Sequence, residues 1–158
     1  MATNVTSLNW GVKQSFRNYV EVTGGVIEAG GGAERTADGG FTFTAAPGQG
    51  LSLDADGKPV GQGLFLGEAR FEAHGGMLSV CLADPMLEIS EAGAVITAFD
   101  SSARTRRVQI ARLDLAAMSA GDEGELVIPT ALSMDGIQVL GDHYPLNTAL
   151  DPVRFKLA

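Results

Sequence analysis

The sequence predicts an all-β fold with one short N-terminal α-helix, an antiparallel β-sandwich or partly open barrel of about nine to eleven strands. Three observations carry that expectation. Twenty-one glycines among 158 residues cut the chain into short segments. Within the segments apolar and polar residues alternate with the period of two that a half-buried strand needs. Only near the N-terminus does the period become helical.

That helical stretch is residues 8–20. Val12, Phe16, Tyr19 and Val20 fall at i, i+4, i+7 and i+8, the spacing that lines one side of an α-helix. The spacing predicts that Tyr19, one of only two tyrosines, sits on the buried face. Lys13 and Arg17, four residues apart, share a neighbouring stripe. A phenol close to two cations would suit an anionic, partly apolar ligand.

Beyond the helix, Gly30-Gly31-Gly32 reads as a loop. It lacks both the strand-then-helix context and the lysine of a phosphate cradle. Phe41-Thr42-Phe43-Thr44 alternates cleanly, as does Leu51-Ser52-Leu53, which ends in the turn chemistry of Asp54-Ala55-Asp56-Gly57. Residues 64–74 read as one long strand, and Gly75-Gly76 as a tight hairpin into residues 77–83. Asp84-Pro85 is expected to close that strand, because proline cannot donate to a ladder. Met86-Leu87-Glu88-Ile89 and residues 94–99 follow as strands, with Arg104-Thr105-Arg106-Arg107 capping the hairpin to Val108. Residues 108–115 alternate with a change of phase at Ala111-Arg112, the mark of a bulge. Two further short strands, residues 131–134 and 153–157, complete the set. There is no repeat or linker, so residues 1–158 are expected to form a single domain.

Charge and composition narrow the function. A net charge of -8 disfavours nucleic acid and anionic membranes, because phosphate binding needs a basic surface. No apolar run approaches the ~20 residues of a membrane-spanning helix. The single cysteine, Cys81, cannot form an internal disulfide and is expected to be an inert core thiol. The N-terminus carries no signal-like segment, which leaves a cytoplasmic protein or an excised domain of an exported one. The sequon Asn4-Val5-Thr6 is too short a pattern to carry weight.

Catalytic constellations are thin in the sequence. It contains no Cys-x-x-Cys, no His-Glu-x-x-His and no Gly-x-Ser-x-Gly, and its two histidines, His74 and His143, are too few for a multi-histidine metal site. Four residues remain able to approach a metal centre: Tyr19, Tyr144, His74 and His143. Their setting resembles a known family. Residues 8–20 are similar to the opening motif of the Htaa domain family of bacterial haem-uptake proteins. Residues 71–78 with 82–89 resemble its central motif, and Tyr144 with residues 148–155 its terminal one. The three motifs stand in the family's order and span nearly the whole chain.

The resemblance implies a protein that captures and transfers ferric haem (haem b) on behalf of haem-donor or haem-acceptor proteins. It implies Tyr19 as the axial ligand of the iron, His74 as its hydrogen-bond partner and Tyr144 as a residue of the pocket. Trp10 and Phe16 are then candidates to flank the macrocycle, and Arg17 and Lys13 to pair with its propionates. The chemistry is coherent: tyrosine is an established haem ligand, phenolate is a hard anion that prefers ferric iron, and an N–H aimed at its oxygen favours the charged form. Two other classes stay open. One is a haem enzyme of peroxidase or oxygenase type, in which His143 or His74 would act as acid and base. The other is a β-sandwich protein-interaction module without cofactor, in which Tyr19 is core. The role of His143 and the oligomeric state are left undecided by the sequence.

Overall fold

Fourteen strands and two α-helices, with two single-turn 3-10 helices at His74–Gly76 and Leu115–Ala117, are found among the described residues of the computed structural model, 3–121, 124–142 and 144–157. In chain order they are β1 (Thr3–Trp10), α1 (Gln14–Val22), β2 (Val26–Gly30), β3 (Glu34–Arg35), β4 (Phe41–Ala45), β5 (Ser52–Leu53), β6 (Pro59–Val60), β7 (Gln62–Leu66), β8 (Glu68–Ala73), β9 (Leu78–Ser90), β10 (Gly93–Phe99), β11 (Arg107–Leu113), β12 (Ser119–Ala120), β13 (Leu126–Leu132), α2 (Met134–Val139) and β14 (Ala149–Leu157). Four of the strands are two-residue bridges, which accounts for the excess over the sequence-based count.

Eight strands close into an antiparallel barrel in the order β4-β7-β9-β10-β11-β13-β14-β1. The ring is completed where β1 pairs with β4, Leu8 opposite Phe43 and Trp10 opposite Phe41. Closure removes the free edges that an open sheet would present. Eight strands enclose a space that side chains alone can fill, and here they do. Leu8, Phe65, Leu87, Ile96, Ile110, Ile128, Val153 and Phe155 are fully buried, and the rings of Phe65 and Phe155 stand 6.0 Å apart. A ligand the size of a macrocycle therefore has to bind outside the barrel.

A flap leaves the barrel wall and carries the N-terminal helix. The first half of β9, Leu78 to Ala83, pairs with β8, and β8 with β2. The second half of β9 returns to the barrel beside β7. The expected breaks are interchanged: β9 runs unbroken through Asp84-Pro85, whereas the single strand expected over residues 64–74 divides at Gly67. The physical reason is a paired bend. Gly67 has φ 133°, and a Cβ there would overlap Ala33. Its N–H donates to Asp84 Oδ1 (3.1 Å), and the Asp84 N–H donates to its carbonyl (2.8 Å). The β9–β10 ladder is out of register at this point, so the missing N–H of Pro85 falls at a gap in the pairing. Arg104, from the β10–β11 loop, closes the bend on Glu68 (2.6 Å) and Asp84 (2.8 Å). Burial opposes ionisation of Asp84, but the Arg104 guanidinium and the Gly67 N–H outweigh it and hold the carboxyl below the usual carboxylate range.

Other expectations meet the structure more directly. The phase change in β11 is a bulge: Ile110 and Ala111 are both buried, and the ladder to β10 shifts between Ile96 and Thr97. Cys81 lies in β9 but is only half-buried, with burial pushing its thiol up. The short helix α2 was not expected; Gly136 packs its backbone against the carbonyl of Ile110. None of the described helices is long and apolar enough to cross a membrane.

The largest correction concerns residues 8–20. Leu8 and Trp10 end β1, with Asn9 turned outward between them, and the helix begins only at Gln14. Trp10 and Leu8 face the core because strand alternation puts them there. Val12 belongs to neither element. It is fully buried in the left-handed region at φ 65°, a costly conformation for a β-branched residue. It is held there by the Asp151 N–H, which donates to its carbonyl at 2.9 Å.

Candidate functional site

Helix α1 divides into two flanks. Phe16, Arg17 and Val20 are buried, Phe16 against the flap and Arg17 against β14. Phe16 meets Phe71 edge-on at 5.1 Å, and Phe71 meets Phe41 of the barrel at 5.6 Å, so an aromatic chain anchors the helix. Ser15, Tyr19 and Val22, at i, i+4 and i+7, form the outer stripe. Tyr19 is 37% exposed, not buried as its place in the apolar pattern predicts. The true helix start explains the difference: with Val12 outside the helix, Phe16 and Val20 alone define the inner face, and Tyr19 falls on its margin.

Tyr19 has a partner from the flap. Its Oη lies 2.6 Å from His74 Nε2, and the two rings stand edge to face, with centroids 5.7 Å apart. His74 follows β8 directly and adopts φ 55°, with Gly75 and Gly76 also at positive φ. The Met77 N–H closes the turn on the His74 carbonyl at 3.2 Å. A histidine in this backbone region carries strain of about 1 kcal/mol, and the turn that imposes it delivers the imidazole to the phenol.

Tyr144 joins the same face from the loop before β14. Its hydroxyl is 3.0 Å from Ser15 Oγ, its ring meets Phe16 at 6.4 Å, and the Lys13 ammonium lies 5.4 Å from the ring centroid. Lys13 also donates to the carbonyl of Ala149 at 2.7 Å. The two tyrosines are thus held at successive turns of one helical stripe, one on His74 and one on Ser15.

Three sequence-singled residues lie elsewhere. Arg17 is buried; it donates to Asp151 Oδ2 (2.6 Å) and to the Gly11 carbonyl (2.7 Å). The other oxygen of Asp151 accepts from the Gln14 N–H at 3.0 Å, which caps α1 where Lys13 offers no side-chain cap. Trp10 is 2% exposed and donates its indole N–H to the Asp151 carbonyl at 2.8 Å. Phe16 is core. Phe16 supports the exposed face from beneath through Tyr144, whereas Trp10 and Arg17 tie the start of the helix to Asp151. His143 lies outside the described residues.

The sequence reasoning passed over Asp151, although it binds β14 to α1 through both carboxylate oxygens, and over the exposed Val22 and Met77. No local pattern marks Asp151, because its partners lie more than 130 positions away. Among the described residues no group of three or more His, Cys, Asp and Glu side chains could hold a metal ion. The cleft of about 680 Å³ beside Trp10, Arg17, Asp38 and Arg154 does not include Tyr19 or His74. An exposed shelf with a phenol–imidazole pair at its centre is what the geometry offers a ligand.

Comparison with known proteins places this architecture. The fold matches the crystal structures of the C-terminal and N-terminal domains of HtaA from Corynebacterium glutamicum, each at 24% identity and a TM-score of 0.71. The match covers 99% of this chain and 98% of the C-terminal domain, and 100% and 99% for the N-terminal domain. It also matches the heme binding protein HtaB of the same organism at 18% identity and a TM-score of 0.70, covering 100% of this chain and 94% of that one. No curated protein matches the chain. The Htaa family matches residues 5–156, nearly the whole length, and the chain belongs to that family.

Proposed function

We propose that the Tyr19–His74 face binds ferric haem, with Tyr19 as the axial ligand of the iron, His74 as the partner of its phenolate oxygen and Tyr144 as a wall of the site. The observation that carries this reading is the 2.6 Å contact between Tyr19 Oη and His74 Nε2 on an exposed face. The residues fit the group. A tyrosine oxygen is a hard donor suited to ferric iron. An adjacent N–H favours the anionic form of a phenol and fixes the ring, as a residue hydrogen-bonded to a metal ligand does. The surrounding surface supplies apolar contact through Val22 and Met77 and a cation through Lys13. Bound haem would supply a ferric centre that Tyr19 would hold through its phenolate oxygen, with His74 as that oxygen's partner.

The family membership supports the reading, as does the likeness to a heme binding protein. An exposed site suits capture and transfer, because a donor or acceptor protein can reach the ligand without opening a core. Haemin titration of the protein and of Tyr19→Phe tests the proposal. The expected result is a high-spin ferric phenolate spectrum that the substitution abolishes; unchanged binding by Tyr19→Phe refutes it. Peroxide turnover with a reducing dye would support the enzyme reading instead, and absence of haemin binding would leave the cofactor-free interaction module.

A further inference from the structure

The outer stripe of α1 is polar at one end and apolar at the other. At its N-terminal end stand Lys13, Ser15 and Tyr144, tied together by the Ser15–Tyr144 hydrogen bond and the ammonium over the Tyr144 ring. Tyr19 and His74 occupy the middle. At the far end Val22 is 86% exposed, one turn beyond Tyr19, and Met77, on the turn that carries His74, is 91% exposed. From Ser15 to Val22 the stripe is about 10 Å long, at 1.5 Å per residue. Neither Val22 nor Met77 contributes to the core, and apolar side chains exposed this fully beside a metal-competent pair are surface that a ligand can cover. Val26 is exposed too, but it lies with Glu28, Arg70 and Glu72 on the groove across β2 and β8. Phe71, which carries α1, alternates with these residues and faces the other way.

Resting on the haem reading above, we infer that Val22 and Met77 form the apolar seat of the macrocycle and that Lys13 receives its carboxylates. The bound molecule is then fixed in one orientation, propionate edge toward the start of α1 and carboxylate-free edge over Val22 and Met77. Lys13 is the cation left for this purpose. Arg17, the other cation of the segment, is committed to Asp151 and the Gly11 carbonyl, whereas Lys13 forms no ion pair among the described residues and donates only to the Ala149 carbonyl. The seat selects a flat molecule that is apolar along one edge and anionic along the other.

Two ligands read the two ends separately: haemin, and haemin with both propionates esterified. Val22→Ser and Met77→Ser should each weaken both ligands by roughly 3- to 10-fold, the loss expected when a partly covered apolar side chain is removed. Lys13→Met should weaken haemin by roughly 2- to 5-fold, the range of an exposed ion pair, and leave the diester unchanged. All three positions lie outside the core, and circular dichroism of each variant confirms that the fold is kept. The inference is overturned if Val22→Ser and Met77→Ser bind both ligands as the parent does, or if Lys13→Met affects haemin and diester alike. A parent protein that loses haemin in Tyr19→Phe yet ignores Val22 and Met77 overturns this inference alone; indifference to Tyr19→Phe overturns the haem reading beneath it.

Discussion

Two polar contacts leave α1 only two residues apart, both 2.6 Å long, and they do opposite work. Arg17 meets Asp151 with its side chain 8% exposed, in a site that also takes the Gly11 carbonyl and the first N–H of the helix. Tyr19 meets His74 at the surface. The first contact joins β14, the β1–α1 link and the helix into one unit, and a charge so placed is expensive to leave unpaired. The second joins the helix to a strained turn at an exposed surface. Equal distances therefore say nothing about role; burial and the number of satisfied partners decide it.

The comparison breaks most visibly at Arg17. Arg17→Met strands the Asp151 carboxylate and the Gly11 carbonyl, and should cost about 3 kcal/mol, or roughly 10 °C in melting temperature for a domain of this size. Thermal unfolding followed by circular dichroism measures it. A variant that unfolds like the parent but loses haemin would reverse the roles assigned to the two contacts.

Tyr19→Phe is expected to behave in the opposite way. It removes one exposed hydroxyl, so stability should move by no more than about 1 kcal/mol. Haemin affinity should fall further than in any His74 variant, since the ligand itself is gone. Parallel denaturant titration and haemin titration separate the two effects.

His74→Gly sharpens the contrast. The turn asks for φ 55° at this position, which glycine adopts freely, so the variant should gain about 0.5 to 1 kcal/mol of stability while haemin affinity drops roughly 10- to 100-fold. A loss of stability would show that the imidazole holds the flap rather than the ligand.

The smallest effect concerns acid. The carboxyls of Asp84 and Asp38 are both held below the ordinary value of 3.8, Asp38 by the Thr36 hydroxyl and the Gly40 N–H. A carboxyl depressed in the folded state contributes its stabilisation in full above 3.8 and loses it as pH falls through the lower, folded value. Asp84→Asn should therefore lower stability at pH 7, where the pairing with Arg104 is lost, and flatten the decline below about pH 4, so that variant and parent converge in acid. Urea midpoints across that range check it, and a parallel shift at every pH would contradict the assignment.

Much of the fold was legible because strand alternation is local. Phe41-Thr42-Phe43-Thr44, the bulge in residues 108–115 and the hairpin at Gly75-Gly76 all appear where their patterns put them. The helix was legible but begun too early: Val12 opens the helical period yet lies outside α1, and Leu8 and Trp10, two residues apart, pair with β4 as strand residues. At the site, the resemblance to the Htaa family named Tyr19 and His74, which the structure brings within hydrogen-bonding distance, and Tyr144, which it holds one turn away on the same stripe. Composition alone would have left Tyr19 in the core.

By itself the sequence determined that this chain is an antiparallel β structure with a short helix near its start, and which few side chains can approach a metal. Those properties follow from periodicity, turn chemistry and residue counts, all of which act over a few neighbours. Tertiary structure decided that the barrel closes and fills itself, that Arg17 is consumed by a residue 134 positions away, and that Tyr19 stands at the surface. Burial and partnership at those positions depend on segments far apart in the chain, and only packing brings them together.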